Sequence, residues 1–487
     1  MEKKPPIKIY NSMTKRLEEF KSITPGEVKM YVCGVTVYDE CHIGHARSAF
    51  IFDVIRRYFK YCGYEVKFVK NITDVDDKII DKAREELSVS NSPLKGFDLN
   101  DAVKQIAERY TRRFYEDMEA LDIDKADTEP KATEHIPDMV KMIEALIKNG
   151  YAYKSDGDVY FEVRKYDKYG QLSHQNLDQM MEGARVEVGE KKKDPLDFAL
   201  WKAAKEEEPE WSSPWGKGRP GWHIECSVMA TKYLKENFDI HGGGRDLIFP
   251  HHENEIAQSE CATGKPFANY WIHNGLLTID GQKMSKSLGN FVSIKDVLSR
   301  YSSDVLKLFF LGTHYSNPID FSWDRMEAAK NAYERFAILF NKIDREMGTG
   351  GYISTNGADT SNMDIFRLKE RFEAAMNDNF NTPLALGALF DLVSVCNKVL
   401  DEKPKMYREM LKFGMDTLGE LGGVLGLTFK DISKEVSDSE IETAIALREK
   451  LRKDRKFEEA DKIRQKLSKK GIILEDEKDG THWRRKG

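Results

Sequence analysis

The sequence lacks the features of a membrane or secreted protein. No stretch approaches the roughly 20 consecutive apolar residues that span a bilayer. The N-terminal MEKKPPIKIYNSMTKRLEEF has basic residues but no apolar core and no small-residue cleavage site. The six cysteines, at positions 33, 41, 62, 226, 261 and 396, lack the close, even spacing of a disulfide framework. These absences predict a cytoplasmic protein without membrane contact, in which the cysteines are free thiols.

The chain also lacks internal repeats and a strong net charge. Its 487 residues are 40% hydrophobic and 32% charged, and the formal net charge is −6. A chain of this length is too long for one small core, so we expect about two to four domains. The charge argues against nonspecific coating of polyanions, but a local basic patch could still bind nucleic acid.

Residues 28–72 have the pattern of a βαβ unit. EVKMYVCGV is typical of a buried strand, the residues from Ile43 to Gly63 of a helix, and those from Glu65 to Ile72 of a second strand. Ligands of parallel sheets bind beyond the carboxyl ends of the strands. The pattern therefore predicts that 33–36 and 73–77 lie together at a site.

The next segment, 120–210, has a different composition. A helix in 135–150 and a hairpin turn at Asp156-Gly157 precede polar, lysine-rich sequence, which predicts a peripheral insertion. Core-like sequence resumes with GWHIECSVMATKYL, FDIHGGGRDLIF and NYWIHNGLLTI, as a second half-sheet. Beyond about 300 we expect helices to the end, with a loop or linker at 347–362 and a capping box of Ser437 and Glu440. The predicted fold class is α/β: a Rossmann-type parallel-sheet catalytic domain, split by the insertion and followed by an α-helical C-terminal region.

The stretch FPHHENE, residues 249–255, suggests a metal site. If a helix begins here, His251 and Glu255 share a face, and Cys33 and Cys226 fall near element ends on the ligand side of the sheet. Two thiolates, an imidazole and a carboxylate would suit Zn²⁺. A polar turn near two core cysteines fits the spacing as well. HHENE is not the HExxH pattern of zinc metalloproteases, so that class has little support.

Two further motifs suggest phosphate binding. In CHIGHARS, His42 and His45 stand where a strand gives way to a helix, and a helix N-terminus with unpaired N–H groups favours phosphate. Gly44 would let a flat ring approach the backbone closely. DGQKMSKSLGN, with Lys283 and Lys286, is typical of a cationic loop. Taken singly, each motif has an ordinary structural explanation.

Taken together, the motifs resemble those of class I aminoacyl-tRNA synthetases. HIGH (His42 to His45) and KMSKS (Lys283 to Ser287) match without substitution and in the expected order. Within that class, YVCGVTVYD, NITDVDDKI, GWHIECS, HGGGRDL and FPHHENE resemble the motifs of cysteinyl-tRNA synthetases. The resemblance runs from about residue 6 to the C-terminus.

The resemblance implies a zinc site that recognises the substrate. It assigns one Zn²⁺ per chain to Cys33, Cys226, His251 and Glu255, with the thiolate of the substrate cysteine binding the metal. A shape filter separates cysteine from serine or alanine by only about 1–3 kcal/mol, whereas zinc prefers the softer sulfur. We therefore expect no hydrolytic editing site in 120–210.

The resemblance also implies roles for other residues. Thr73 and Trp222 are expected in the wall of the amino-acid pocket, and Asp246 beside the substrate ammonium. His42, Gly44 and His45 are expected to bind ATP, with Mg²⁺. The lysines of KMSKS, Lys283 and Lys286, are expected to act in catalysis, Lys286 on the leaving pyrophosphate. His241 is a weaker candidate for a nucleotide contact, and His223 and His252 are expected to be structural.

The C-terminal segment points to tRNA. Residues 441–487 contain 15 Lys and Arg against 10 Asp and Glu, and Trp483 beside Arg484 and Arg485 could stack on a base. The expected domains are 1–119 and 211–300 for the two catalytic halves, 120–210 for the insertion, 301–346 for a stem-contact region, 347–430 for a helical bundle and 431–487 for anticodon binding.

The resemblance to cysteinyl-tRNA synthetases implies that cysteine is ligated to tRNA, with ATP, L-cysteine and tRNA(Cys) as partners, and we expect a monomer. The alternatives are a cysteine–amino-sugar ligase of the same fold, which would lack the anticodon domain, and a catalytically silent paralogue that only binds RNA. Intact HIGH and KMSKS motifs argue against the second alternative.

Overall fold

The computed structural model describes residues 5–176, 191–284, 289–347, 363–430, 438–454, 456–469, 472–477 and 480–485. The chain divides into two compact units. The first comprises residues 1–333 and 354–428, and the second comprises residues 334–353 and 429–487.

The secondary structure follows in chain order. The strands are β1 (Lys8–Asn11), β2 (Arg16–Glu19), β3 (Glu27–Thr36), β4 (Glu65–Thr73), β5 (Ala152–Ser155), β6 (Asp158–Phe161), β7 (Phe198–Ala203), β8 (Trp211–Ser213), β9 (Gly216–Pro220), β10 (Phe238–Gly244), β11 (Ala268–Asn274), β12 (Leu277–Ile279), β13 (Gln282–Lys283), β14 (Ile319–Phe321), β15 (Ile472–Glu477) and β16 (Gly480–Arg485). The α-helices are α1 (Ile43–Tyr61), α2 (Asp77–Ser88), α3 (Leu99–Ala120), α4 (Ile136–Lys148), α5 (Ile224–Leu234), α6 (Glu253–Thr263), α7 (Ile294–Leu298), α8 (Ser303–Leu311), α9 (Trp323–Met347), α10 (Met363–Asn377), α11 (Thr382–Glu402), α12 (Tyr407–Val424), α13 (Asp438–Lys453) and α14 (Phe457–Lys469). Short 3₁₀ turns lie at Ala132–His135, Val163–Lys165 and Arg245–Leu247, and a π-helical turn lies at Ile248–His252.

The centre of the first unit is a four-stranded parallel sheet. Its strand order is β11-β10-β3-β4. Helix α1 connects β3 to β4, which confirms the predicted βαβ unit, and β10 and β11 confirm the second half-sheet. Thr36 pairs with Thr73 at the carboxyl ends of β3 and β4. The sheet thus brings the two predicted ligand-side segments together.

The insertion forms a five-stranded antiparallel sheet of order β5-β6-β7-β9-β8. The predicted hairpin turn at Asp156-Gly157 is confirmed, because Ser155 pairs with Asp158. One apolar cluster continues from Tyr31 and Val69 of the central sheet to Phe161 and Trp201 of this sheet. The insertion therefore shares a hydrophobic core with the central sheet, and its own sheet extends to Pro220, past the predicted boundary at 210.

A small sheet of order β13-β12-β14 follows the central sheet. Strands β12 and β14 are parallel, whereas β12 and β13 form an antiparallel pair in which Thr278 faces Lys283. The KMSKS motif begins at this pair.

The first unit ends in the helices α10, α11 and α12. Helix α11 is long and apolar enough to cross a membrane by length and composition alone, which the sequence analysis did not expect. Half of it is buried, and it packs against both α10 and α12. This is the packing of a core helix in a helical bundle. Of the linker predicted at 347–362, Met347 ends helix α9 and residues 348–362 lie outside the described residues.

The second unit corrects the expectation of helices to the end of the chain. After α13 and α14, strands β15 and β16 form an antiparallel hairpin in which Leu474 pairs with Trp483. Trp483 is half-buried and packs against a small core that includes Ile441 and Leu474. Alternation along the strand directs it to the inner face with its partner. Base stacking by Trp483 stays a prediction. Ser437 of the predicted capping box lies outside the described residues.

Candidate active site

A cavity of about 570 Å³ opens at the carboxyl ends of the parallel strands. Its wall contains most of the residues predicted to bind substrate or ATP. These are His42, Gly44, His45, Trp222 and Asp246, and the predicted metal ligand Cys33 also lies in this wall. The predicted site is thus largely assembled in one place.

Four predicted metal ligands meet at one side of this cavity. One side-chain donor atom from each of Cys33, Cys226, His251 and Glu255 lies within 4.8 Å of all the others. The Sγ atoms of Cys33 and Cys226 are 3.7 Å apart, and Glu255 Oε1 lies 3.3 Å from Cys33 Sγ and 3.0 Å from His251 Nε2. Two sulfurs on a tetrahedral zinc, with bonds of about 2.3 Å, would be about 3.8 Å apart. The donor set and spacing therefore fit a zinc ion.

Four different elements supply these side chains. Cys33 comes from the end of β3, Cys226 from the first turn of α5, His251 from the π-helical turn and Glu255 from α6. The π-helical turn leads directly into α6, which keeps His251 and Glu255 on one face, as their four-residue spacing predicted.

Further histidines surround the cluster. His241, His252, Cys33 and Glu255 form a second possible donor group. His241 Nε2 lies 2.8 Å from Glu255 Oε2, and its ring stacks on Trp271 at a centroid distance of 4.4 Å. His241 is fully buried behind Glu255, and the described wall of the cavity does not include it.

The two histidines that were expected to be structural also lie here. His223 Nδ1 lies 2.9 Å from His251 Nδ1, and His252 Nε2 lies 3.3 Å from Cys33 Sγ. His252 Nδ1 in turn lies 2.9 Å from His273 Nε2. Their position around the donors could not be read from the HHENE spacing alone.

The side chains of this cluster have pKa values far from their usual ones. A hydrogen bond with Cys33 lowers the pKa of Cys226 to about 6, although burial opposes this shift. Burial also raises the pKa of Glu255, but His241 and His251 outweigh it and hold that pKa well below its usual range. Cys226 and Glu255 are therefore anionic at neutral pH, whereas burial raises the pKa of the Cys33 thiol well above its usual range. Metal binding would require Cys33 and His251 to release their protons.

Two of the three residues predicted for the amino-acid pocket, Trp222 and Asp246, lie at the cavity wall. Trp222 is 40% exposed and stacks on the His251 ring at 4.4 Å, and Asp246 is exposed at the cavity wall. Thr73 is buried and does not belong to the described cavity wall. Its hydroxyl donates to Glu225 Oε2 at 2.9 Å and accepts from Asn71 Nδ2 at 3.1 Å.

The two HIGH histidines form a reciprocal cap at the start of α1. His42 Nδ1 accepts from Gly44 N at 3.1 Å and His45 N at 3.3 Å, while His45 Nδ1 accepts from His42 N at 3.3 Å. The rings stack with centroids 3.7 Å apart. A Cβ on Gly44 would lie 2.9 Å from the His42 ring, so glycine lets His42 fold back over the helix.

This geometry corrects the expectation that the first N–H groups of α1 are unpaired. Ile43 N also has a partner, Val292 O at 3.2 Å, so the first N–H groups of α1 are not unpaired as we expected. Burial lowers the pKa of His42 to about 4 and that of His45 well below its usual range. Both rings are thus neutral at pH 7. Since each Nδ1 accepts, each Nε2 carries the proton and can donate to an oxyanion.

The KMSKS motif is described only in part. The backbone of Lys283 pairs with Thr278 in the small sheet, and Met284 lines the cavity. Lys286 lies outside the described residues.

Sequence reasoning missed several residues of the site. Asn71 Oδ1 accepts from Gly34 N at 2.7 Å and lies 3.7 Å from Cys226 Sγ. A Cβ on Gly34 would lie 1.6 Å from Asn71 O, so glycine at this position lets β3 and β4 approach each other closely. The available signal for Asn71 was its position two residues before Thr73, at the end of a strand on the ligand side of the sheet.

Comparisons with known proteins agree with this arrangement. Residues 19–331 match the family described as tRNA synthetases class I (C) catalytic domain, 371–430 the DALR domain and 437–484 the cysteinyl-tRNA ligase anticodon binding domain. The chain is 49% identical to a cysteine–tRNA ligase of Persephonella marina, with 99% of this chain and 100% of that protein covered. It is 50% identical to that of Geobacillus thermodenitrificans, with 98% and 99% covered.

A solved structure supports the fold. The methionyl-tRNA synthetase of Mycobacterium tuberculosis, in complex with methionyl-adenylate, superimposes with a TM-score of 0.62 at 15% identity, covering 86% of this chain and 94% of that chain. The parallel sheet, the matched catalytic domain and this likeness define an aminoacyl-tRNA ligase with the class I synthetase fold. Among these enzymes, the chain belongs to the cysteine–tRNA ligase family.

Proposed function

We propose that this protein activates L-cysteine with ATP to form cysteinyl-adenylate and then transfers the cysteinyl group to the 3′ end of tRNA(Cys). The observation that carries the proposal is the cluster of two thiols, an imidazole and a carboxylate beside the HIGH histidines, in a chain similar over its length to cysteine–tRNA ligases. The anticodon-domain match at 437–484 disfavours an amino-sugar ligase. The complete donor cluster disfavours a silent RNA-binding paralogue.

Cys33, Cys226, His251 and Glu255 are proposed to hold one Zn²⁺. We prefer this set to the one with His241 and His252, because it has two sulfur donors and because Trp222, at the cavity wall, stacks on His251. When bound there, zinc would supply a soft Lewis acid that takes the substrate as a thiolate and discriminates against a hydroxyl.

The chain's own residues orient the substrate. Trp222 closes the side of the pocket above His251, and Asp246 offers a carboxylate for the substrate ammonium. Thr73 acts from beneath this pocket, since its hydroxyl is held between Asn71 and Glu225.

The HIGH residues are proposed to bind ATP together with Mg²⁺. His42 and His45 would donate their Nε2–H groups to phosphate oxygens, and Gly44 makes room for the His42 ring. The carboxylate of the substrate attacks the α-phosphorus, the bond to the bridging oxygen of pyrophosphate breaks, and Lys286, with Lys283 nearby in sequence, stabilises the charge on that leaving group.

The second unit and the cellular setting complete the proposal. Residues 431–487 would read the anticodon, 301–346 would contact the tRNA stem, and 347–430 would form the helical bundle. Catalysis would reside in 1–119 and 211–300, with 120–210 as the insertion and no editing site within it. We propose a cytoplasmic monomer.

Charging assays test the function. The purified protein is incubated with cysteine, ATP and either tRNA(Cys), tRNA(Ser) or an amino sugar. We expect acylation of tRNA(Cys) alone. Ligation of cysteine to the amino sugar, or tRNA binding without ATP–pyrophosphate exchange, would favour one of the two alternatives instead.

A further inference from the structure

Arg47, in the second turn of α1, is bound in an unusual way. Its side chain is 1% exposed, and its two terminal nitrogens donate only to backbone carbonyls. Nη1 donates to Gly275 O at 2.7 Å and Leu276 O at 3.0 Å. Nη2 donates to Tyr315 O at 3.3 Å and Asn317 O at 2.6 Å. One side chain thus links α1 to two separate chain segments.

Arg47 differs from the other buried arginines of the described chain. Arg56 pairs with Asp53 at 2.7 Å, Arg448 pairs with Asp476 at 2.7 Å, and Arg219 pairs with two carboxylates. No described carboxylate lies within the 4.0 Å of an ion pair with Arg47. A buried cation without a counter-ion is costly. The charge of Arg47 is instead compensated by the four carbonyl groups, so this arginine is stable only where the two chain segments hold those carbonyls together.

The four carbonyls have a common location. Gly275 and Leu276 directly precede β12, and Tyr315 and Asn317 precede β14, its parallel partner. The segments are in close contact, since a Cβ on Gly275 would lie 2.2 Å from Asn317 O. Arg47 thus anchors the start of the sheet whose outer strand, β13, ends at Lys283.

The residues that follow the KMSKS motif are also tied to α1. Ile43 N donates to Val292 O at 3.2 Å, and Ile294 N donates to Cys41 O at 3.2 Å. The strand pair before the motif and the chain after it are therefore both attached to the start of the HIGH helix. Arg47 makes the attachment to the strands that precede the motif.

We propose that Arg47 is a positioning residue for adenylate formation, one that sets the distance between the HIGH histidines and the strand pair that leads into KMSKS. The proposal rests on the proposed function. Adenylation needs the donors of both motifs around one triphosphate, and a misplacement of about 1 Å can reduce a rate about 100-fold. Transfer of a preformed adenylate to tRNA does not need the pyrophosphate donors, so it should be spared.

The test compares Arg47→Met with Arg56→Met in the zinc-loaded full-length protein. Arg56 is a matched control because it is buried on the same helix but bonds Asp53 and Lys125 O instead of the small sheet. We expect Arg47→Met to slow single-turnover formation of cysteinyl-adenylate by about 10- to 100-fold. The KM for cysteine and the rate of transfer from preformed adenylate should stay within about threefold of wild type. Arg56→Met should lower the melting temperature with little change in adenylation.

Arg47→Lys provides a milder variant if Arg47→Met folds poorly. A lysine keeps the charge but has three donors and no planar fork, so an intermediate rate is expected. Equal adenylation rates in Arg47→Met and wild type, or equal losses in Arg47→Met and Arg56→Met, would overturn the proposal. Wild-type protein that fails to exchange pyrophosphate with cysteine would instead refute the proposed function, so the two failures are distinguishable.

Discussion

His251 and His42 lie in two parts of one site, and their pKa values are shifted in opposite directions from the usual value of a histidine. At the donor cluster, burial disfavours the charged ring, but Glu255 and Cys226 outweigh it and raise the pKa of His251 to about 10. At the HIGH helix, burial is the largest influence, and the pKa of His42 falls to about 4. The difference lies in the partner: His251 has a carboxylate oxygen at 3.0 Å, whereas His42 stacks on another imidazole.

This comparison separates two kinds of recognition. The donor cluster holds two anionic groups, Cys226 and Glu255, beside a thiol and an imidazole, so it suits a cation that displaces the remaining protons and, through that cation, a sulfur ligand. The HIGH end presents neutral N–H donors, so it suits phosphate oxygens without adding a fixed positive charge.

The largest effect is expected at the donor cluster. Cys226→Ser replaces a thiolate with a hydroxyl, a poor zinc ligand, so zinc content should fall and cysteine activation should be lost by at least about 100-fold. Metal analysis and ATP–pyrophosphate exchange on the same sample measure this. Cys261→Ser, at a buried cysteine away from the donors, is the control. Normal activation by a zinc-free variant would refute the role of the metal.

A second large effect is expected at the phosphate end. Lys286→Ala removes a charge that acts on the developing pyrophosphate, so the adenylation rate should fall about 100- to 1,000-fold. The KD for ATP should change far less, as measured by equilibrium binding. Lys295→Ala, at the neighbouring helix α7, serves as the control. Equal losses in rate and in affinity would count against the assignment.

A smaller effect is expected in the second unit. Removing residues 471–487 deletes β15 and β16 and leaves the buried Arg448 without Asp476, so tRNA charging should fall by at least about tenfold while pyrophosphate exchange stays intact. Trp483→Leu tests whether the tryptophan serves the core or stacks on a base. If Trp483 serves the core, charging should stay within about twofold, whereas a large loss would support the base-stacking prediction.

We expect His241, which lies behind Glu255, to increase the affinity of the donor cluster for zinc. His241→Gln weakens the support of Glu255, so zinc affinity should fall by about tenfold, and excess zinc should restore activity. Competition with a chelator measures the affinity. His273→Gln is the control. His273 is also buried and lies on the adjacent strand β11, but its hydrogen-bond partners are His252 and Ser12, so this change should leave the zinc affinity unchanged.

The smallest effect concerns the pH dependence of stability. Because the pKa of His42 is about 4 in the folded protein and about 6.5 when unfolded, the unfolded chain binds more protons between these values. The free energy of unfolding should therefore fall as the pH drops from 6.5 towards 4, by at most about 3 kcal/mol from this group. His42→Asn keeps a capping acceptor but does not titrate, so urea unfolding should give it a flatter pH curve. Parallel curves would contradict the low pKa.

The sequence predicted the local secondary structure better than the long-range contacts between side chains. Strand β3, helix α1 and strand β4 follow from hydrophobic periodicity, and the four-residue spacing correctly placed His251 and Glu255 on one face. Cys33 and Cys226 came close to them through strand-end topology. Such features depend on neighbours in sequence or on the regular geometry of a parallel sheet.

The features that were not predicted depend mostly on packing between residues far apart in the sequence. The contact of His241 with Glu255 and the contacts of Arg47 with Asn317 join residues that no sequence spacing relates. The terminal hairpin was missed because the charged composition of 438–470 was extended to the end of the chain, where the alternation of β15 and β16 has a period of two residues.

The most direct measurement is ATP–pyrophosphate exchange with cysteine and with serine, accompanied by metal analysis of the same sample. The account predicts one zinc ion per chain, exchange with cysteine but not with serine, and loss of the cysteine reaction when a chelator removes the metal. Equal exchange with both amino acids, or undiminished cysteine exchange in a zinc-free sample, would contradict it.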